Sequence, residues 1–453
     1  MSLRPSNHSL QADGLCAHDL IALMPKHMKI KEGGLELAGV DLELLAKTEG
    51  TALYVYDEQM LHDQLRSYQQ ALALYRGPAA QTVYASKAFS CKAMIKLVQE
   101  EAAYLDVSSG GELALALAAG FDPAHILVHG NNKTPQEITE ALEAGVGRFV
   151  VDTRTELIRI NELASKLNCV AQVLLRIAPG VVADTHSYIQ TGAEDSKFGF
   201  TMKEGIAQSA VELALRLEHI ELMGYHMHIG SQIFDFSPFA EAVKLMAQFS
   251  ADMNELYSYS PQELDCGGGL GVAYTHADKP GRIQDLCALV IEALETSFSQ
   301  HNLALPKLYL EPGRSIVANA ACTLYTVGSV KEIPGVRTYV NIDGGMTDNI
   351  RTCLYEAQYE ALVVNKADKP RDCIITLAGK HCESGDVVLI DSSLQQAQAG
   401  DIVAVFTTGA YNDSMASNYN MQVRPAVIFV KDGSYRVVKR RESYEDLFIR
   451  DLG

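Results

Sequence analysis

The stretch Thr82-Val83-Tyr84-Ala85-Ser86-Lys87-Ala88 places a lysine at the end of a short apolar run. Residues 82–85 are typical of a buried strand, because β-branched and aromatic side chains stand together there. Burial lowers the pKa of an ammonium group, and a lysine with a lowered pKa is a nucleophile toward carbonyl carbon. The alternative is a lysine that ends a strand and extends into water.

Strand and helix patterns alternate from this lysine onward. Apolar spacing predicts helices at residues 93–103, 112–119, 135–144, 156–167, 203–217, 240–257 and 283–298. Strands are predicted at the Lys87 run and at residues 104–107, 126–129, 148–151, 171–177, 220–228, 263–266 and 307–311. Repeated β-α units form a parallel sheet, and eight of them predict a closed (β/α)8 barrel.

After residue 315 the pattern changes to short strand-like runs separated by turns. They lie at residues 323–327, 337–342, 373–377, 386–390, 402–406, 426–431 and 435–439, and they predict an all-β barrel or sandwich. Further strand-like runs at residues 35–40 and 52–56 are expected to join this β domain. The predicted domains are an N-terminal segment at 1–56, a barrel at 57–315 and a C-terminal β domain at 316–453.

Composition indicates a globular chain. Hydrophobic residues make up 47% of the 453 residues, and a net charge of −18 argues against a nucleic acid or an anionic membrane as partner. The first residues lack the apolar core of a signal peptide, and no apolar run has the length of a membrane span. Nine scattered cysteines without a Cys-x-x-Cys pair predict reduced thiols in a cytoplasmic protein, with neither a disulfide framework nor a zinc site.

Unusual polar residues follow the predicted strands, at the end where α/β barrels hold their catalytic groups. The residues at these strand ends are Lys87, His129, Arg176, His226, His228, Asp265 and Glu311. A single histidine at a strand end is also common as a hydrogen-bonded core residue. Because all of these residues belong to one rim, the pattern favours a functional site.

The run Gly267-Gly268-Gly269 follows the seventh strand, where barrels commonly bind phosphate through backbone N–H groups. A tight turn is the alternative. A dinucleotide fingerprint belongs at the first β-α turn, so the run does not predict a nicotinamide site. A phosphate site facing a lysine indicates pyridoxal 5′-phosphate (PLP), with Glu311 at the pyridine nitrogen and His228 on the ring face. The alternative for Glu311 is a salt bridge to Arg314.

Five motifs carry a resemblance to the fold-type III PLP-dependent decarboxylases. They are Tyr84-Ala85-Ser86-Lys87-Ala88, His129-Gly130-Asn131-Asn132-Lys133, His226-Met227-His228-Ile229-Gly230-Ser231-Gln232, Glu311-Pro312-Gly313-Arg314-Ser315 and Cys382-Glu383-Ser384-Gly385-Asp386. The similarity covers residues 35–451. Residues 185–192, Ser196-Lys197-Phe198-Gly199, Gly409-Ala410-Tyr411, Ser414-Met415 and Asn418-Tyr419-Asn420 resemble the diaminopimelate branch of this family.

The resemblance implies a role for each matching residue. Lys87 is implied to bind PLP covalently, His228 to stack on its ring and Glu311 to pair with the pyridinium. Further cofactor contacts are implied for Ser231, Gly267, Gly268, Gly269, Gly313, Arg314 and Tyr411. Substrate contacts are implied for Arg314, Arg351, Tyr355, Tyr411 and Glu383, with Glu383 at the distal amine.

The resemblance also implies a reaction and an assembly. The expected reaction is decarboxylation of meso-2,6-diaminopimelate to L-lysine and CO2, the last step of bacterial lysine synthesis. Cys382 is implied to be the proton donor. Taken alone it fits a small buried hydrophobic residue better, but its place before Glu383-Ser384-Gly385-Asp386 favours the donor. Cys382 and Glu383 are implied to reach the site of a neighbouring subunit, which makes the enzyme an obligate homodimer.

Two departures and two competing functions accompany this resemblance. Thr352 stands where many members have proline, and Met227 stands where cysteine is common. One competing function is decarboxylation or racemisation of another basic amino acid or a carboxylated polyamine. The other is a non-catalytic PLP carrier or regulator.

Overall fold

The structure is a computed structural model that describes residues 10–181 and 197–453. The described chain forms two compact units. The β unit contains residues 10–62, 272–279 and 316–453, and the barrel unit contains residues 63–181, 197–271 and 280–315. Through these described ranges, no helix combines the length and the apolar composition needed to cross a membrane. The domain limits at residues 56 and 315 stay predictions.

Eight parallel strands close the barrel, since the last pairs with the first as well as with its own predecessor. They are β1 (Ala80–Ala85), β2 (Tyr104–Val107), β3 (Ile126–Val128), β4 (Arg148–Val151), β5 (Ala171–Ala178), β6 (Ile220–His226), β7 (Glu263–Asp265) and β8 (Lys307–Leu310). The short strand Phe200–Thr201 adds to β5. The predicted (β/α)8 barrel is confirmed. The rim residues lie at or just after the carboxyl ends of its strands, except Arg176, which lies within β5.

Helices connect successive barrel strands, after an entry helix at Glu58–Leu72. The connecting helices are Lys92–Glu100, Gly110–Ala118, Pro135–Ala144, Arg154–Lys166, Ile206–Arg216, Ser237–Tyr257 and Ile283–Gln300. Ser109, Thr134 and Thr153 begin three of them by accepting a backbone N–H in the first turn. Ser237–Tyr257 begins three residues before the predicted start, because Pro238 has no N–H to lose in a first turn.

The β unit is built around the long strand Ala321–Ile333. Its sheet also contains Leu53–Asp57, Arg337–Ile342, Ala361–Val363, Cys373–Ala378, Val387–Leu394, Ile402–Phe406, Ala426–Lys431 and Ser434–Lys439. Leu53–Asp57 lies between Ala321–Ile333 and Ala426–Lys431, and all five of its residues are buried. The prediction that an N-terminal strand joins the β domain is therefore confirmed. Short helices in the remaining chain are Leu42–Glu49, Arg314–Val317, Arg351–Tyr355 and Tyr444–Phe448.

The prediction of a single strand at residues 35–40 is wrong in detail. This run is divided between Gly34–Leu37 and Val40–Asp41, which pair with each other and with Met28–Lys31 in a separate three-stranded sheet. Ala38 and Gly39 have φ of 47° and 88°, so the chain reverses between the two short strands. Leu35 and Leu37 still pack in the apolar core of the β unit.

Candidate active site

Lys87 lies just beyond the end of β1, in the 3-10 turn Ser86–Ala88. Its Nζ is 3.8 Å from Oδ2 of Asp106, a buried residue of β2. The lysine side chain is 46% exposed, so the sequence argument that this lysine is buried is wrong. Within the described chain neither carboxylate oxygen of Asp106 accepts a hydrogen bond. Lys87 therefore presents a reachable amine beside a buried anion.

Glu311, directly after β8, is held between two histidines. Its Oε1 lies 2.8 Å from Nε2 of His129, and its Oε2 accepts from Nε2 of His226 at 3.0 Å. All three side chains are buried, and the two imidazole rings meet edge to face at 5.1 Å. Their ligand atoms are close enough to hold a metal ion, and the contact between His226 and Glu311 has the geometry of a hydrogen bond. The geometry favours a hydrogen-bonded carboxylate.

Burial and charge fix the protonation of this cluster. Burial opposes ionisation of Glu311, but the neighbouring His129 and His226 hold the pKa of its carboxyl well below the usual range. Burial lowers the pKa of His226 to about 4, so this ring is neutral at pH 7. Burial also lowers the pKa of His129, but Asp106 and Glu311 outweigh it and raise that pKa. Glu311 is therefore an anion deep in the barrel rim.

The glycine run after β7 permits backbone-to-backbone packing. A Cβ at Gly268 would overlap the carbonyl oxygen of Glu311, and one at Gly269 would overlap that of Gly230. At Gly267 a Cβ would lie 2.6 Å from the carbonyl oxygen of Met227, and φ there is +66°. Only glycine fits these positions. The run is thus more than a tight turn, because it brings three strand-end loops into contact.

His228 is oriented by this glycine run. The Gly268 N–H donates to its Nδ1 at 3.3 Å, which leaves the proton of the neutral ring on Nε2. Burial, followed by the charges of Lys87 and Arg176, holds the pKa of His228 well below its ordinary value. The imidazole is therefore a neutral flat ring beside the lysine.

Arg314 and Ser231 meet across the loops after β8 and β6. The guanidinium donates to Ser231 Oγ from Nε at 3.2 Å and from Nη2 at 2.9 Å. A Cβ at Gly313 would lie 3.0 Å from Ala85 Cβ, so a larger residue there would press on the turn that carries Lys87. The structure brings the barrel-rim residues of the prediction together: Lys87, His228, Ser231, Gly267, Gly268, Gly269, Glu311, Gly313 and Arg314.

Sequence reasoning missed Asp106 and assigned nothing to Arg176 or Lys133. An aspartate between Leu105 and Val107 in an apolar strand was the available signal for the first. Arg176 places its guanidinium 4.4 Å from the ring centre of Phe198. Lys133 is buried and donates to Glu156 at 2.6 Å, which ties the loop after β3 to the helix Arg154–Lys166.

The remaining predicted residues lie in the β unit. Arg351 is buried at the start of Arg351–Tyr355, where Nη1 donates to Tyr359 Oη at 2.6 Å and Cζ lies 4.7 Å from the centre of the Tyr274 ring. Burial opposes its charge, but Tyr274 and Tyr359 raise the pKa of the guanidinium above its ordinary value. Among the described residues no carboxylate pairs with Arg351. A buried cation without a counterion suits an anionic ligand.

The departure at Thr352 has a structural explanation. Its buried hydroxyl donates to the carbonyl oxygen of Val388 at 2.9 Å, which ties the Arg351–Tyr355 helix to the strand Val387–Leu394. Tyr355 is partly exposed, and Tyr411 is partly buried with a left-handed φ of 61°. Residues 185–192 and Ser196 of the predicted specificity region lie outside the described residues.

Cys382 and Glu383 are exposed side by side on a short loop. The Cys382 N–H donates to Asn420 Oδ1 at 2.9 Å, and Glu383 Oε1 accepts from the Gly385 N–H at 3.3 Å. The alternative of Cys382 as a buried hydrophobic residue is wrong. All nine cysteines are free thiols in this structure.

The barrel rim fits PLP on its own geometry. Lys87 supplies an accessible amine, the glycine run brings the backbones of three strand-end loops close together, and Glu311 supplies a buried carboxylate for a pyridinium. His228 adds a neutral ring beside the amine. These are the groups that PLP binding requires of a protein.

Comparisons with known proteins agree with this geometry. Residues 58–318, more than half of the chain, match the family model described as "Pyridoxal-dependent decarboxylase, pyridoxal binding domain". The chain is 47% identical over 422 residues to the diaminopimelate decarboxylase of Bacillus subtilis, covering 93% of this chain and 96% of that one. The corresponding Staphylococcus aureus enzyme is 43% identical, with 93% and 98% covered.

Solved structures extend the comparison to the whole fold. The crystal structure of diaminopimelate decarboxylase from M. jannaschii superposes with a TM-score of 0.88 at 35% identity, covering 94% of this chain and 98% of that one. A second structure of that enzyme, in complex with L-lysine, has a TM-score of 0.88 at 34% identity and covers 95% and 99%. The chain therefore belongs to the diaminopimelate decarboxylases, within the pyridoxal-dependent decarboxylase family.

Proposed function

We propose that this chain converts meso-2,6-diaminopimelate to L-lysine and CO2, as the last step of bacterial lysine synthesis. The observation that carries the substrate assignment is the burial of the Arg351 guanidinium. Among the residues that the structure describes, no carboxylate pairs with it. The substrate has two carboxylates, and one survives the reaction. A site with a buried arginine rejects a substrate that lacks this second carboxylate, because the arginine would be left unpaired. The names of the relatives at 43–47% identity support the same assignment.

PLP is the cofactor, and we propose which residues hold it. Lys87 would hold it covalently through its amine, and His228 would lie beside the ring. Glu311 would pair with the pyridine nitrogen. The phosphate contacts are assigned to Ser231, Gly267, Gly268, Gly269 and Tyr411, with Gly313 and Arg314 beside them. When bound, PLP supplies a protonated ring that withdraws electrons from the carbon losing CO2.

The chain's own groups then orient the substrate and move one proton. Glu311 stays ionised through its two histidines, which keeps a negative charge where a pyridinium is stabilised. Arg351 and Tyr355, with Arg314, bind substrate carboxylate, and Glu383 binds the distal amine. Cys382 holds a proton on Sγ and donates it to the carbon that has lost CO2. A thiol suits this step, because its reference pKa of about 8.5 is close to neutral pH.

We also propose a homodimer in the cytoplasm. Cys382 and Glu383 are exposed polar groups on a loop, which suits residues that serve the site of a partner subunit. Nine free thiols suit a reducing compartment. Sedimentation equilibrium of the purified chain tests the dimer, and a monomer at assay concentration would refute it.

Product analysis tests the reaction. Purified protein with PLP is given meso-diaminopimelate and, in separate reactions, L-lysine, L-ornithine and L-arginine, while CO2 and amines are measured. We expect CO2 and lysine in equal amounts from the first substrate alone. Release from another substrate would overturn the role of Arg351, and the absence of release from all four would favour a non-catalytic PLP carrier.

A lysine pair tests the cofactor assignment. Lys87→Ala removes the amine, so we expect loss of the visible absorbance of bound PLP and of turnover. Lys92→Ala is the matched control, because Lys92 is an exposed lysine at the start of the next helix. A coloured and active Lys87→Ala protein would refute the assignment.

A further inference from the structure

We propose that Asp386 and His381 are a positioning pair that fixes the loop Cys382–Gly385 for the reaction. This inference rests on the proposed function, in which Cys382 donates a proton and Glu383 binds the distal amine. Neither Asp386 nor His381 reaches solvent to a significant extent. They act through the backbone on either side of the loop.

The Asp386 carboxylate accepts three hydrogen bonds from two separate segments. Oδ2 accepts from the His381 backbone N–H at 2.8 Å and from His381 Nδ1 at 2.7 Å. Oδ1 accepts from the Met346 N–H at 2.6 Å. One carboxylate thus closes the loop on itself and ties it to the segment that leads to Arg351.

The chain around this carboxylate is shaped to admit it. A Cβ at Gly345 or at Gly379 would overlap the oxygens of Asp386, and the Gly379 N–H donates to the Asp386 carbonyl at 3.0 Å. Gly345 also has a φ of +147°, which other residues rarely adopt. Glycine at positions 345 and 379 therefore leaves the space that the Asp386 carboxylate occupies, which a side chain at either position would fill.

His381 is fixed at both ring nitrogens. Nδ1 donates to Asp386, and Nε2 lies 2.9 Å from Thr347 Oγ1. The ring of Tyr419 lies nearly parallel to the imidazole, with 6.2 Å between ring centres and 23° between planes. The buried side chain of His381 therefore has one orientation, and the backbone of the next residue, Cys382, is oriented with it.

The loop itself has few contacts of its own. Asn420 accepts from the Cys382 N–H, and the Cys353 thiol donates to the Gly385 carbonyl at 2.8 Å. The Glu383 carboxylate accepts from the Gly385 N–H at 3.3 Å. The Cys382 thiol and the Glu383 carboxylate are exposed. Their placement therefore depends on the backbone at the two loop ends, where Asp386 and His381 act.

Asp386→Asn tests the pair. One carboxylate oxygen becomes an NH2 group, which cannot accept and faces a backbone N–H. A displacement near 1 Å at the reacting group costs about 100-fold in rate, so we expect kcat to fall by that order, with PLP absorbance unchanged. Asp401→Asn is the matched control, since Asp401 is a buried aspartate of the same unit that pairs with Lys366 at 2.7 Å.

The second readout is the amount of lysine formed per CO2 released. With the thiol out of place, the proton would in part go to the cofactor carbon instead of the carbon that has lost CO2, and hydrolysis would then give an aldehyde and the aminated cofactor in place of lysine. We therefore expect the ratio to fall below one in Asp386→Asn and in Cys382→Ala, and to stay at one in Asp401→Asn. A general loss of stability would not change this ratio. Equal kcat and equal ratio in Asp386→Asn and Asp401→Asn would overturn the positioning pair.

Two further outcomes separate this inference from the proposed function. If Cys382→Ala keeps the wild-type rate and ratio, the donor role of Cys382 is refuted. The Asp386→Asn variant is then tested by its KM for diaminopimelate. We expect this KM to rise, because Glu383 binds the distal amine and would be misplaced. An unchanged KM would overturn the pair. If Asp386→Asn does not fold, Thr347→Val decides, because it removes one hydrogen bond from His381 and should lower kcat about 2- to 10-fold; an unchanged kcat would overturn the pair.

Discussion

Replacing Lys133 by methionine should destabilise the barrel unit strongly. Its Nζ donates to the Gly130 carbonyl at 2.8 Å, to the Val150 carbonyl at 2.6 Å and to Glu156 Oε1 at 2.6 Å. The side chains of Lys133 and Glu156 are 3% and 4% exposed. Methionine fills the same volume but leaves a buried carboxylate unpaired. Breaking a buried pair in this way costs about 3–5 kcal/mol.

The pH dependence gives a second, independent expectation. Burial already raises the pKa of Glu156, although Lys133 opposes the shift. Without Lys133 the folded-state pKa of Glu156 rises further above its unfolded value. The folded variant then binds a proton more readily than the unfolded chain, so its deficit is small at low pH and grows as pH rises through the folded pKa. The difference from wild type should be larger at pH 8 than at pH 5.

Urea unfolding followed by far-UV circular dichroism measures this effect, since the chain has no tryptophan. Lys47→Met is the control, because Lys47 and Glu43 form an exposed helical pair with 62% and 35% exposed side chains. Such pairs contribute about 0.3–0.5 kcal/mol. A loss below about 1 kcal/mol in Lys133→Met, or a loss that does not depend on pH, would refute this account of the buried pair.

Three further changes have defined outcomes. Gly268→Ala should lower PLP affinity at least about ten-fold in a cofactor titration, because its Cβ would overlap a backbone carbonyl. Gly111→Ala is the control and should bind PLP normally, because a Cβ there would lie 3.8 Å from its nearest neighbouring atom. Burial raises the pKa of Asp348 to about 7, so its contribution to stability is present near pH 4 and is lost as pH rises through 7. Asp348→Asn should therefore gain stability relative to wild type between pH 5 and pH 8 in urea unfolding, and parallel curves would contradict this. Thr352→Val removes the hydroxyl that donates to the Val388 carbonyl and should lower the free energy of unfolding by about 1–3 kcal/mol. An unchanged urea midpoint would show that this hydrogen bond does not stabilise the fold.

Local patterns along the chain were sufficient for the barrel and for the positions of its rim residues. Apolar periodicity is a property of neighbouring residues, so it located all eight strands and placed Lys87, Glu311 and the glycine run at strand ends. The helix starts were less well determined, because capping depends on single side chains such as Ser109. The motif resemblance supplied the family, the cofactor and the reaction.

The protonation and support of the site depend on contacts between residues distant in the chain. Closure of the barrel brings Glu311 to His129 and His226, which decides that this carboxylate is ionised. It also places Asp106 beside Lys87, whose side chain is half-exposed where the sequence predicted burial.

The β unit shows the same division. The sequence determined that Arg351 and Cys382 are present, because a motif is a run of adjacent residues. Only the tertiary structure decided that Arg351 is buried and that no carboxylate of the described residues pairs with it. It also decided that Asp386 joins the Cys382 loop to Met346. Hydrogen bonds and burial are set by the packing of segments that are far apart in the chain, and no local pattern encodes which of them meet.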